Sequence, residues 1–114
     1  MRFLIMLTDV ETSQLAPGDP GFAERMAQYV AFDEMAGRLG VLRASGKLRP
    51  TAEARTIRIR DGKTVVTDGP FAETKEQVGG FYLLECDDLA QALELAAKIP
   101  TARHGSVEVR ALYW

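Results

Sequence analysis

Residues 2–9, RFLIMLTD, form a nearly unbroken apolar run near the start of a chain of 114 residues. A run of this kind reads as a strand covered on both faces or set well inside a sheet. Phe3, Ile5 and Leu7 fall on one side of it, and Leu4 and Met6 on the other. Working outward, the pattern gives strand, long helix, hairpin, strand, helix, strand. That order is α+β, and its natural solution is a ferredoxin-like antiparallel sheet with both helices on one face. The face that the helices leave bare is also apolar and needs a cover. A second copy of the chain is the simplest cover, so the expectation is a homodimer.

The loop from Glu11 to Gly21 is broken by Pro17, Gly18 and Pro20, and Asp19-Pro20 reads as an N-cap followed by the first helical residue. Apolar residues from Phe22 to about Leu42 recur at helical spacing, which predicts a long amphipathic helix with Gly46 as its stop. Residues 48–54 are irregular. Thr56–Arg60 alternate, Asp61-Gly62 is a tight hairpin signal, and Thr64–Thr67 return. The loop 68–80 holds a possible helical turn around Glu73–Gln77 and precedes a strand at 81–86. A second helix follows at 89–99, capped by Asp87 or Asp88, with Leu89, Ala92, Leu93, Ala96 and Ala97 on one face and Pro100 ending it. A strand at 106–113 closes the order.

Composition narrows the function. Hydrophobic residues are 46% and charged residues 26%, the balance of a folded single domain covering 1–114. A net charge of −2 argues against general nucleic-acid binding. The single cysteine, Cys86, excludes an internal disulfide and reads as a small buried hydrophobe in a reducing cytoplasm. With one histidine and no multi-cysteine cluster, neither a metal nor another cofactor is expected. The first residues lack the length of a signal peptide, and no stretch reaches membrane-spanning length.

The expected topology brings Thr8 and Asp9, Asp68, Gly79 and Gly80, and His104 and Gly105 to one rim of the sheet. Asp68 is either a turn residue accepting backbone N–H groups or a general acid–base group at a cleft floor. His104 is either an exposed loop residue or the imidazole of that cleft. Gly69 and Pro70 fix a bend, and Phe71 makes a wall or a plug. Lys75 is solvated or reaches across the rim to an anionic group. Gly80 permits close approach of backbone or ligand, and Tyr82 fills the core or offers its phenol to the cleft. Asp9 and Glu11 read as solvated, or as cleft lining. The resulting expectation pairs Asp68 and His104 as catalytic groups, with Gly69, Pro70, Phe71, Lys75, Gly80 and Tyr82 contacting a small-molecule substrate.

The segment Val65–Gly80, VVTDGPFAETKEQVGG, with RIRDGK (58–63), GGFYLLECDDLAQALELAAKIP (79–100) and HGSVEVRAL (104–112), resembles the YCII-related domain family in its Asp-Gly-Pro-Phe branch. The resemblance implies a dimeric α+β barrel of two ferredoxin-like protomers. It also implies small-molecule acid–base chemistry of the isomerase, lactone or dehydrohalogenation kind. The alternative it implies is a non-catalytic ligand-binding or regulatory dimer associated with an extracytoplasmic-function sigma factor. The YCII enzymes that pair a histidine with an aspartate carry that histidine on the first helix, whereas residues 22–42 contain none.

Overall fold

The apolar run becomes β1 (Arg2–Val10), an inner strand of a four-stranded sheet. A computed structural model describes all residues, 1–114. After β1 come α1 (Phe22–Arg38), β2 (Leu42–Lys47), β3 (Arg55–Arg60), β4 (Lys63–Asp68), β5 (Glu76–Glu85), α2 (Leu89–Ala96) and β6 (Ser106–Ala111). The main sheet runs β2-β5-β1-β6 with every neighbouring pair antiparallel. Without β3 and β4 this is a ferredoxin-like βαββαβ order, as the sequence pattern predicts.

The inserted β3 and β4 correct one expectation. They pair with each other in a separate two-stranded sheet and do not join the main one. The strand that fills the expected place is β2, in residues read as the end of a helix and its stop. The helix stops earlier, at Arg38. Gly40 takes φ +71°, and the Gly40 and Val41 amides donate to the Gly37 and Ala36 carbonyls at 3.0 and 3.1 Å. This left-handed closure satisfies carbonyls that the last turn would leave open. Gly46 instead lies in β2, where an added Cβ would stand 2.8 Å from the Phe81 ring.

Several boundaries differ for local reasons. Asp19 accepts from the Ala16 amide at 2.7 Å inside a turn, while Gly21, with φ +84°, caps α1. The 68–80 loop contains no helical turn, because β5 begins at Glu76. Asp88 caps α2 through the Gln91 amide at 2.8 Å. The buried face of α2 is Ala92, Leu95 and Ala96, with Leu89 and Leu93 exposed. Asp61 and Gly62 both have positive φ, 52° and 73°, the hairpin turn that their pairing signals.

Both helices cover one sheet face. Phe3 and Ile5 of β1 and Tyr82 and Leu84 of β5 meet Phe32 and Ala36 of α1 and Ala92, Leu95 and Ala96 of α2 in one core. Phe3, Ile5, Leu84 and Ile99 are its largest fully buried side chains. Each is worth about 1.5–3 kcal/mol relative to exposure. Register puts Leu4 opposite Leu83 and Met6 opposite Phe81 on the other face. All four are only partly buried, and no helix covers them.

Candidate active site

Along β1, every second side chain shares a face, so the row Phe3, Ile5, Leu7 continues to Asp9. Leu7 and Asp9 lie where the row passes beyond the core into a cleft of about 270 Å³. The opposing wall is α1, whose Phe22, Arg25, Met26, Tyr29 and Asp33 line the cleft at helical spacing. Lys47 of β2, Gly80 and Tyr82 of β5, Thr101 and His104 also line it.

His104 follows a 3-10 turn, Pro100–Arg103, whose Thr101 is buried. The amides of His104 and Gly105 donate to the Thr101 carbonyl at 3.3 and 2.8 Å. The Thr101 hydroxyl also meets the Tyr29 hydroxyl at 2.5 Å, tying this turn to α1. Gly105 then passes so close to β1 that an added Cβ would stand 2.2 Å from the Thr8 carbonyl oxygen. Only glycine permits that approach, and the approach brings His104 to Asp9.

His104 Nδ1 lies 2.7 Å from Asp9 Oδ2. Asp9 Oδ1 accepts from the Val10 amide at 2.7 Å, so both oxygens of the carboxylate are fixed. The side chains are 31% and 15% exposed, which keeps the imidazole reachable and the carboxylate sheltered. An ionised carboxylate only accepts, so a hydrogen bond to ionised Asp9 requires the proton on Nδ1, which in a neutral ring leaves the lone pair on Nε2.

Deeper in the cleft, the Tyr82 hydroxyl donates to Asp33 Oδ1 at 2.6 Å. Its ring packs edge-on against Phe32 with centroids 4.9 Å apart. Burial, reinforced by the bond to Asp33, pushes the Tyr82 phenol well above its ordinary pKa. Tyr82 therefore stays a neutral donor. Arg25 reaches the Ser13 carbonyl at 3.4 Å, and Lys47 donates to Gln14 at 3.2 Å, which sets both cations in the wall through one loop.

The structure divides the sequence-derived candidates. His104, Gly80 and Tyr82 line the cleft. Asp68 lies outside it, at the foot of the β3–β4 hairpin, with its side chain 88% exposed and 3.1 Å from Arg55. The expected pairing of Asp68 with His104 therefore gives way to Asp9 with His104. The physical reason is topological: the hairpin forms its own sheet and takes Asp68 with it. Gly69, with φ +100°, closes the hairpin by donating to the Ala54 carbonyl at 2.8 Å and accepting from the Thr56 hydroxyl at 2.8 Å. Pro70 and Lys75 also lie outside the cleft lining. Phe71 is 82% exposed, with the Arg58 guanidinium 5.7 Å from its ring centroid. Asp33 and Tyr29 were missed by sequence reasoning, although they continue the helical stripe Phe22, Met26, Tyr29, Asp33.

No group of three or more His, Cys, Asp or Glu side chains is placed to hold a metal ion. No helix is long and apolar enough to cross a membrane. The family model described as the YCII-related domain matches residues 1–113. The chain belongs to the YCII-related domain family. An uncharacterized protein of Rhizobium meliloti (strain 1021) is 49% identical over 79 residues, covering 68% of this chain and 61% of that protein. The YCII-related chain thus spans about three-fifths of the length of the curated relative it matches.

Proposed function

We propose that this YCII-related protein is a small-molecule enzyme that moves a proton on an enolisable, anionic substrate in the α1–sheet cleft. The observation that carries the reading is the 2.7 Å contact of His104 Nδ1 with Asp9 beside that cleft. In this reading Nε2 takes a proton from carbon, the C–H electron pair moves into an enolate, and Asp9 stabilises the imidazolium. Arg25 and Lys47 hold the substrate's negative charge. Return of the proton to another carbon gives isomerisation, and departure of a β-substituent gives lactone opening or dehydrohalogenation.

The active species in this reading is a cytoplasmic homodimer with its bare sheet faces packed as an α+β barrel. A non-catalytic regulatory dimer associated with a sigma factor would use the same cleft, with binding but no proton exchange. The test incubates the protein in D₂O with 2-oxo acids, unsaturated acids and γ-lactones and follows deuterium uptake by ¹H NMR. Uptake should fall about 10²–10⁴-fold in His104→Gln, the usual worth of a positioned acid–base group. A variant that exchanges as fast as the wild type would contradict the assignment, and saturable binding without exchange would favour the regulatory dimer.

A further inference from the structure

The β3–β4 hairpin stands away from the rest of its own chain. Its strands pair only with each other, and its foot is held by the Gly69–Ala54 backbone bond and the Arg55–Asp68 ion pair. The chain's radius of gyration is 16.1 Å, whereas a compact chain of this length has about 13 Å. Its shortest dimension is only 18 Å.

Register places Ile57 opposite Val66, with Ile59 two residues along the same face. These side chains are 64%, 58% and 65% exposed, an apolar row on a projecting ribbon. A two-stranded ribbon alone is marginal in water, so one with an apolar face needs a surface to lie on.

The charges indicate which surface. Residues 55–68 carry four basic and two acidic side chains. Of the chain's 14 basic and 16 acidic residues, that leaves ten basic and fourteen acidic elsewhere. The hairpin is therefore positive and the body negative. The body also carries an uncovered apolar patch of its own, Leu4, Met6, Phe81 and Leu83. A two-fold pair presents every hairpin to an oppositely charged body and shields both kinds of apolar surface at once.

The geometry points to reciprocal clasping: each chain's β3–β4 hairpin lies, by its Ile57–Ile59–Val66 row, on the body of a second copy. This rests on the homodimer proposed above and adds a separate contact to it. Hydrogen exchange and sedimentation velocity of the full chain, followed over roughly hundredfold dilution, test it. The expected result is a dimer whose 55–68 amides are protected and lose protection as it dissociates. The double variant Ile57→Glu/Ile59→Glu, with an unchanged circular dichroism spectrum, should raise the dimer Kd about hundredfold or more. A wild-type dimer whose 55–68 amides exchange at one rate at every dilution overturns the clasp and leaves the sheet-face dimer standing. A wild type that is monomeric throughout overturns both. The wild-type exchange data decide the matter even if the double variant fails to fold.

Discussion

At the scale of single residues, the site depends on a side chain that is absent. Gly105→Ala would drive a methyl group into the Thr8 carbonyl and force the His104 loop off β1. The expected cost is about 1–3 kcal/mol, read as a lower urea midpoint together with a shifted His104 imidazole signal. Unchanged values for both would refute the packing argument. Tyr82→Phe keeps the ring against Phe32 but removes the donor to Asp33, so a loss of about 1–3 kcal/mol in chemical denaturation is expected. Glu11 offers a pH test. Hydrogen bonds from the Thr51 hydroxyl and amide hold its carboxyl below the ordinary 4.5. A carboxyl depressed by folding adds stability that is full above 4.5 and fades as pH falls through the lower folded value. Glu11→Gln should therefore flatten the acid limb of a stability–pH curve, and an unaltered limb would count against this tether. Asp9 was legible in principle, because the alternation Phe3, Ile5, Leu7 leads straight to it. The Asp-Gly-Pro-Phe segment points instead to Asp68, because no local feature of that segment reveals that its hairpin leaves the sheet.

At the scale of elements, legibility followed periodicity. β1, the hairpin turn and the start of α2 carry strong local patterns and stand where those patterns put them. β2 does not, because Leu-Arg-Ala-Ser-Gly-Lys has no alternation and its pairing slips between Leu42 and Ala44. The apolar spacing of α1 also runs past its true end into Leu42, so only the left-handed Gly40 marks the stop. Gly40→Ala should cost about 1 kcal/mol of unfolding free energy, because alanine adopts that backbone conformation poorly. A thermal midpoint equal to the wild type's would contradict the cap. The α2 face is partly legible for a similar reason: Ala92 and Ala96 are buried as the spacing predicts, but Leu95 joins them while Leu89 and Leu93 are exposed.

At the scale of the whole molecule, adjacent leucines on β5 separate folding from the assembly proposed above. Leu84 is fully buried beneath the helices, while Leu83 is partly buried on the uncovered face. Leu84→Ala should cost about 2–5 kcal/mol in unfolding. Leu83→Ala should cost much less in the dissociated chain and act mainly by weakening self-association. Denaturation and sedimentation of the two variants distinguish these outcomes, and equal effects on folding would undermine the two-faced sheet. The two-sided apolar run at 2–9 made this division legible, whereas the projecting hairpin was not, because its strands alternate as well as any strand within a sheet.

The proposed chemistry depends on a histidine held by Asp9, and His104 is the chain's sole imidazole. Long-range ¹H–¹⁵N NMR at mildly alkaline pH reads its tautomer without any substrate. A ring protonated at Nδ1 with Nε2 bare is expected, as is loss of that preference in Asp9→Asn. A wild-type ring protonated mainly at Nε2 would contradict it.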